Sequence, residues 1–145
     1  MTARRPVTRL KAPKVARAAK DARRIASGTS SRQSGRAAEW LAAALLMAKG
    51  YQILGFRLKT RAGEIDLLAR RGTVLAVVEV KRRGTLDQAL TAISREQFDR
   101  LLSAGRAVLR QRPSLAGHEL RIDTVALAPG RIPVHRRGIA PFGRA

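Results

Sequence analysis

Two β-rich runs separated by a short glycine-containing turn constrain the fold of this chain more than any other feature. The first run reads G-E-I-D-L-L-A, the second reads V-L-A-V-V-E-V-K, and R-R-G-T lies between them. Apolar runs that flank a short turn with glycine predict a β-hairpin. We therefore expect an antiparallel strand pair over residues 63–81.

The register of this hairpin decides which side chains share a face. We take residues 71–72 as a two-residue loop, which sets Asp66 opposite Val77. In the same register Glu64 lies opposite Glu79. One face is then entirely apolar and consists of Ile65, Leu67, Ala69, Val74, Ala76, Val78 and Val80. The other face holds Glu64, Asp66, Glu79 and Lys81, with Leu68, Leu75 and Val77 nearer the turn. A shift by one residue would force one acid into the apolar layer, so the pattern favours this register.

The carboxylates on this face require a compensating charge. Two carboxylates across a strand pair repel, and Glu79 follows the apolar run 74–78, which is typical of a sheet interior. A divalent cation would remove the repulsion. The chain has no cysteine, so its ligands would be mainly oxygens, which favours Mg²⁺ or Mn²⁺.

Lys81 lies two residues beyond Glu79, and the alternation of side chains along a strand puts both on the same side. Beside a metal-bound water, its ammonium group can orient the water, help to deprotonate it or offset charge in a phosphoryl transition state. The alternative interpretation is a solvated face with a cross-strand ion pair.

A first helix is predicted from Gly35 to Lys49, with one apolar stripe formed by Leu41, Ala44, Leu45 and Ala48. Glu39 shares a second flank with smaller residues, Ala42, Ala43 and Leu46, which we expect to pack towards the sheet. If this helix covers the hairpin, Glu39 can reach the same metal. Alternatively, Glu39 is a first-turn acid that interacts with the helix dipole.

The remaining elements complete an α/β pattern. Residues 51–58 read as an edge strand, Ser94 and Gln97 fit a capping box at the start of a second helix that ends at Pro113, and residues 119–127 read as a last strand. The order α-β-β-β-α-β indicates an α/β domain. We divide the chain into a basic, flexible tail (1–34), this domain (35–128) and an irregular segment (129–145). His118 and His135 have no partners at ligand spacing and are expected on the surface.

The charge of the chain points to a polyanionic partner. Thirty Lys and Arg residues against ten Asp and Glu give a net charge of +20, and the body without the tail still carries +11. Counterion release then favours nucleic acid. Arg82, Arg83, Arg95 and Arg100 are the predicted phosphate contacts, with Arg106 and Arg110 as further candidates, although a solvated helix face is the alternative.

The choice of nucleic acid and of location follows from what the composition lacks. Aromatic residues make up only 3%, so stacking on bases is a poor basis for recognition, and DNA is preferred to RNA. The sequence has no apolar run near the roughly 20 residues of a membrane helix. A cytoplasmic bacterial protein is therefore expected, with an Arg-rich organelle transit peptide as the alternative.

The segments G-R-A-A-E-W-L-A-A-A-L-L-M-A-K-G-Y-Q-I-L, A-G-E-I-D-L-L-A-R and V-V-E-V-K-R-R resemble the YraN family of uncharacterised bacterial proteins. That family is similar to the restriction-endonuclease-like PD-(D/E)xK nucleases, which include archaeal Holliday-junction resolvases. The resemblance runs from about residue 35 to the C-terminus, including R-I-D-T-V-A-L and H-R-R-G-I-A-P-F. It implies a mixed β-sheet flanked by helices.

The resemblance also implies roles for single residues. Asp66, Glu79 and the Val80 carbonyl would bind the metal, Lys81 would be the catalytic lysine, and Glu39 would be the helix acid. Two residues depart from the family pattern: Arg57 stands where Asn is usual, and Gln97 stands where Lys is common.

Together these features predict a Mg²⁺- or Mn²⁺-dependent endonuclease that hydrolyses phosphodiester bonds of DNA, with branched DNA as the first choice. A resolvase-like role would require a homodimer to cut two strands symmetrically. The alternatives are a non-catalytic nucleic-acid-binding protein with the same fold and a basic assembly factor that binds an acidic protein.

Overall fold

The computed structural model describes residues 35–139, so the predicted tail lies outside the described residues. The helices are α1 (residues 35–48), α2 (Leu86–Leu90) and α3 (Arg95–Gln111), with a 3-10 turn at Pro113–Leu115. The strands are β1 (Gln52–Thr60), β2 (Gly63–Arg71), β3 (Val74–Arg82), β4 (Glu119–Leu127) and β5 (Val134–Arg136). The α/β class is confirmed. Helix α2 and strand β5 are additions, and β5 lies in the segment expected to be irregular.

The five strands form one mixed sheet in the order β1-β2-β3-β4-β5. Only β3 and β4 pair in parallel, whereas the other neighbours are antiparallel. A parallel pair needs a long crossover, which α2 and α3 provide. Strand β3 is therefore central, and its residues 75–78 are all buried.

Helices cover both faces of the sheet and create two separate cores. The core on the α1 side contains Ala38, Ala42, Ala43, Leu46, Tyr51, Leu67, Ala69, Ala76, Val78, Val125 and Leu127. The core on the α3 side contains Ile65, Leu68, Leu75, Val77, Leu101, Ala104, Val108, Leu115 and Ile122. Burial on both faces explains why β3 is an almost continuous apolar run.

The first helix packs mainly through its smaller-residue flank, and within the predicted Leu/Ala stripe Leu45 alone is partly buried against the same core. Ala42, Ala43 and Leu46 are fully buried, as expected for the flank that carries Glu39, whereas Leu41 is 55% exposed. Ala44 and Ala48 are exposed as well. Both flanks are apolar in this Ala-rich helix, so periodicity alone does not distinguish them. The small side chains allow the helix to approach the sheet more closely.

The predicted register of the hairpin is wrong by two residues. Arg71 pairs with Val74 and Leu67 with Val78, so the loop consists of Gly72 and Thr73. Gly72 adopts a φ of 57°, as the first loop position of a hairpin of this kind requires. An even shift preserves the faces of a strand. On β3 the shared side of Glu79 and Lys81 is therefore unchanged, and Asp66 lies beside Glu79, although the cross-strand partners differ from those predicted.

The predicted single apolar face is also wrong at Ile65. Ile65 belongs to the α3-side core, while Leu67 belongs to the α1-side core. Side chains two residues apart share a face only on a regular strand. On the neighbouring strand β1, Arg57 lies in the left-handed region with a φ of 48°. Phe56 pairs with Leu67 and Leu58 with Ile65, so the irregularity lies beside Asp66 in both strands.

The close packing of α3 on the sheet depends on Gly105. A Cβ atom there would lie 2.7 Å from Leu120 Cδ1 and 2.9 Å from Val77 Cγ2. Gly105→Val should therefore lower the free energy of unfolding by about 1–3 kcal/mol through overpacking, despite the better helix propensity of valine. Urea denaturation measures the change, and Ser103→Val on the exposed face of the same helix is the control. Equal denaturation midpoints for the two variants would contradict the packing argument.

Candidate active site

The structure places Asp66, Glu79 and Lys81 together, at the end of the β2–β3 pairing that lies away from the turn. Asp66 Oδ2 accepts a hydrogen bond of 2.9 Å from the backbone N–H of Val80. The Nζ atom of Lys81 lies 3.2 Å from Glu79 Oε1. The side chains of Lys81 and Glu79 are only 9% and 12% exposed, so this ion pair is largely shielded from water.

The carboxyl group of Asp66 is hard to ionise. Burial raises its pKa most, the negative charge of Glu79 adds to the rise, and the pKa reaches about 6. A hydrogen bond with the Glu79 carboxyl group raises it further, while the Val80 N–H and the Lys81 charge act in the opposite direction. Two carboxyl groups this close, one of which is buried and hard to ionise, mark a position where a divalent cation would also be stabilised.

The oxygen donors of this pair fit a hard cation. Mg²⁺ is commonly held by one or two carboxylates together with water and substrate phosphate. Asp66 and Glu79 provide two carboxylates on rigid strands. Within residues 35–139, however, three acidic or histidine side chains do not come close enough together to hold one ion. The Val80 carbonyl is the further oxygen ligand implied by the family resemblance, and that role stays a prediction.

Lys81 also contacts the start of α3 through Gln97. The Gln97 amide satisfies both neighbours when its oxygen accepts from Lys81 Nζ at 3.2 Å and its nitrogen donates to Ala92 O at 3.1 Å. The opposite orientation places the oxygen 3.3 Å from the backbone N–H of Ser94 but points the NH₂ group at the ammonium. We prefer the first orientation, because a hydrogen bond from a charged donor is the stronger one.

The sequence did not reveal this contact of Gln97. Ser94 Oγ accepts from the Gln97 N–H at 3.2 Å, and this half of the capping box is present in either orientation of the Gln97 amide. Capping explains the residue fully in terms of its own helix. The contact with Lys81 joins two elements distant in the chain, and no local pattern signals it.

Glu39 lies on the inner side of α1, but the structure does not bring it into a three-acid group with Asp66 and Glu79. Its carboxylate oxygens lie 2.8 and 3.0 Å from the Nε atom of Arg57, and its side chain is 13% exposed. Arg57 is the residue with the left-handed backbone, a conformation that Asn adopts more readily. The family resemblance implies Asn at this position, and Arg57 in its place supplies a partner for Glu39.

The four predicted phosphate-contacting arginines are all exposed. Arg82 and Arg83 follow Lys81 directly on β3 and beyond it, and Arg95 is the first residue of α3. Arg100 crosses the beginning of β2, where a Cβ atom on Gly63 would lie 2.7 Å from Arg100 Cδ. Within residues 35–139 none of these arginines forms a salt bridge. They therefore supply uncompensated positive charge at the surface of the domain.

A second polar group is centred on Asp123, and the sequence pattern does not predict it. Asp123 is fully buried and accepts hydrogen bonds from Arg121 Nε and Nη2, both at 2.8 Å. The backbone N–H of Gly138 donates to it at 2.9 Å. His135 Nε2 lies 2.8 Å from Asp123 Oδ2, and both side chains have no exposed surface, so the expectation of a surface His135 is wrong.

These partners determine the charge of Asp123. Burial on its own would raise the pKa of this carboxyl, but hydrogen bonds from His135, Arg121 and Gly138 outweigh burial and lower the pKa to about 2. The same carboxylate raises the pKa of Arg121. Local spacing could not reveal this group, because its members come from β4, β5 and the loop that follows.

Fold and site together define an α/β protein with a mixed sheet, a hairpin-borne acid pair and a buried lysine. A model of the Uncharacterised protein family UPF0102 matches residues 38–127, and the chain belongs to that family. The family prediction made from the sequence is thereby confirmed. Helices long and apolar enough to cross a membrane are absent from residues 35–139.

Similar proteins share the family name. A UPF0102 protein of Caulobacter sp. (strain K31) is 55% identical over 116 residues, covering 80% of this chain and 84% of that protein. A UPF0102 protein of Caulobacter vibrioides (strain NA1000 / CB15N) is 54% identical over 112 residues, with coverages of 77% and 90%. One from Rhodopseudomonas palustris (strain HaA2) is 50% identical over 103 residues, with coverages of 71% and 80%.

Proposed function

We propose that this protein is a metal-dependent endonuclease that hydrolyses phosphodiester bonds of DNA at Asp66, Glu79 and Lys81. The observation that carries the proposal is the shielded contact between the acid pair and an ammonium group. Burial and Glu79 hold the pKa of Asp66 at about 6. Near neutral pH a cation bound by the two carboxylates would therefore displace a proton from Asp66.

Each residue has a defined part in this proposal. Asp66 and Glu79, with the Val80 carbonyl, would hold Mg²⁺ or Mn²⁺. When bound, the ion supplies Lewis-acid polarisation of the phosphate and a more acidic water. Lys81 donates hydrogen bonds towards the attacking water or a non-bridging phosphate oxygen. Gln97 positions Lys81, since its amide oxygen accepts from Nζ at 3.2 Å. Glu39 would join the ligands only after releasing Arg57.

The positive charge of the domain supports nucleic acid as the substrate. The body of the chain carries +11. Of the exposed arginines, Arg82 and Arg83 directly follow Lys81, Arg95 precedes Gln97 by two residues, and Arg100 lies against Gly63. Such contacts position a phosphate backbone without reading its sequence. Selection by DNA shape, for example at a branch, is the mode of recognition that we propose. Symmetric cutting of a branch would require a homodimer.

The second candidate function is nucleic-acid binding without catalysis. It is favoured by the pairing of Glu39 with Arg57 and by the lack of a three-acid group within residues 35–139. A protein that retained the fold and lost turnover would show this arrangement.

Cleavage of branched, flapped and linear DNA in Mg²⁺ or Mn²⁺ tests the proposal. Asp66→Asn and Lys81→Met should each reduce the rate about 100-fold or more, as removal of transition-state stabilisation does elsewhere. Lys59→Met, which removes an exposed lysine from β1, is the matched control and should cleave like the native protein.

Three outcomes contradict the proposal. Equal cleavage by all variants would identify a contaminating nuclease. Salt-dependent DNA binding without cleavage would establish the second candidate, and no binding at low salt would favour a basic assembly factor. The cation has its own readout, because Mn²⁺ should raise the melting temperature of the native protein and not that of Asp66→Asn.

A further inference from the structure

A cleft lined by basic side chains lies at the turn end of the β2–β3 hairpin, away from the acid pair. Two adjoining cavities of about 250 and 510 Å³ share Tyr51, Arg71 and Arg137. Lys49 completes the lining of the smaller cavity and Arg121 that of the larger one, beside the backbone of the hairpin turn. We call this set of five residues the basic cleft. Within residues 35–139, no acidic side chain lines it.

Tyr51 forms the floor of the basic cleft and is only 5% exposed. The guanidinium carbon of Arg71 lies 5.7 Å from the centre of the tyrosine ring, and that of Arg121 lies 5.8 Å from it. Arg121 also donates a hydrogen bond to the Tyr51 hydroxyl. Both arginines are therefore held against the same ring by cation–π contact.

The buried carboxylate of Asp123 fixes two other members of the basic cleft. Arg121 binds it directly, at 2.8 Å. Lys49 Nζ lies 3.1 Å from His135 Nδ1, and His135 Nε2 lies 2.8 Å from Asp123. An ammonium group only donates, so Nδ1 accepts and the Nε2–H of a neutral ring donates to the carboxylate. The positions of Lys49 and Arg121 thus depend on one buried group.

The charges of the basic cleft are not balanced. Asp123 compensates Arg121, but Lys49, Arg71 and Arg137 have no salt bridge within residues 35–139. Cations that converge on one cavity repel, and an anion bound among them removes that cost. Guanidinium groups match the oxygens of a phosphate in geometry, and an ammonium group adds charge.

We propose that the basic cleft binds a backbone phosphate of nucleic acid, as a contact separate from the acid pair. The choice of nucleic acid rests on the proposed function, whereas the choice of a phosphate rests on the cleft itself. Arg71 and Asp66 lie five residues apart on β2, which corresponds to roughly 17 Å along a strand. One DNA molecule can span that distance. Contact at the basic cleft then helps to set which phosphodiester reaches the acid pair.

The test compares two charge-matched double variants of the full chain. Arg71→Gln with Arg137→Gln removes two cations of the basic cleft, and Arg36→Gln with Arg131→Gln removes two exposed cations elsewhere. Binding to duplex DNA is measured by fluorescence anisotropy in EDTA over a range of salt. The cleft variant should bind about tenfold more weakly at moderate salt, and the slope of log K against log salt should fall by about one to two. The control should change binding about twofold.

Equal weakening in both double variants would overturn the proposal, because net charge alone would then explain it. Duplexes with and without a 5′-phosphate separate the two sources of phosphate. An equal loss of affinity of the cleft variant for both duplexes supports a backbone contact. A loss of affinity confined to the 5′-phosphorylated duplex overturns the proposal in favour of a terminal phosphate. If the cleft variant does not keep the native circular dichroism and melting temperature, Lys49→Met replaces it, with Lys59→Met as its control.

The binding assay and the cleavage assay fail independently. Binding in EDTA needs no metal and no turnover. Cleavage by the native protein, together with control-like binding of the cleft variant, would refute the basic cleft and leave the nuclease intact. Weaker binding of the cleft variant, together with no cleavage by the native protein, would support the basic cleft and refute the nuclease.

Discussion

Replacing Asp123 by alanine is expected to lower the free energy of unfolding by about 3–5 kcal/mol, since the partners of a buried charge are then left unpaired. The side chain is fully buried and accepts hydrogen bonds from Arg121, His135 and the Gly138 N–H. A loss of this size is a large part of the stability of an ordinary domain. Urea denaturation at neutral pH measures it.

Glu119→Ala on the same strand is the matched control, because Glu119 is exposed, and it should change stability by less than about 0.5 kcal/mol. The effect of Asp123 should also depend on pH. Its pKa falls from 3.8 to about 2 on folding, so its contribution is complete above about pH 4 and is lost as the pH falls towards 2. Similar midpoints for Asp123→Ala and Glu119→Ala at pH 7 would show that the buried network contributes little.

Asp66→Asn should make the protein more stable at pH 7.5 in the absence of divalent cations, by up to about 3 kcal/mol. The pKa of Asp66 rises from 3.8 to about 6 on folding, mainly through burial and then through repulsion by Glu79. A raised pKa favours folding while the group is protonated, and stability is lost as the pH rises through about 6. Asparagine keeps an oxygen that can accept from the Val80 N–H, and it carries no charge.

The gain should therefore vanish below about pH 4, where the native carboxyl group is protonated. Denaturation midpoints between pH 4 and 8 follow this change, with Glu64→Gln as the control because Glu64 is an exposed acid on the same strand. If Asp66→Asn were less stable than the native protein at pH 7.5, Asp66 would be a net stabilising charge. A protein that keeps such a costly acid gives up stability for a function, which agrees with the proposed cation site.

The acid pair and the basic cleft would contact two different phosphates of one DNA substrate. In the proposed function, the acid pair and Lys81 would act on the scissile phosphate, and the basic cleft at the other end of the hairpin would hold the backbone some distance away. Binding energy gained away from the reacting group helps to orient it. The cleft variant should then cut DNA at less defined positions, while its cleavage rate stays close to that of the native protein.

Several elements could be predicted from sequence because their signals are local. The hairpin follows from its apolar runs and turn glycine, the start of α3 from Ser94 and Gln97, and the inward flank of α1 from small residues around Glu39. The position of the loop could not be predicted to the residue. Two glycine-containing loops, 71–72 and 72–73, keep the same faces on β3, and the pairing of Arg71 with Val74 in the folded sheet separates them.

The change of side at Asp66 had no local signal. Ile65 and Leu67 have equivalent positions in the alternating pattern, yet they enter different cores. The change lies beside Arg57, whose backbone is left-handed, and these two positions come together only when the strands pair. Glu39 illustrates the same limit, since its pairing with Arg57 depends on how α1 crosses the sheet.

The sequence by itself therefore determined the α/β class, the hairpin and the common side of Asp66, Glu79 and Lys81, because strand alternation and capping act over a few residues. The tertiary structure alone decided the partner of Glu39, the contact between Gln97 and Lys81, the burial of His135 and the basic cleft. Those contacts join side chains from separate elements. Their positions depend on sheet pairing and helix packing, and the spacing of residues along the chain carries no information about them.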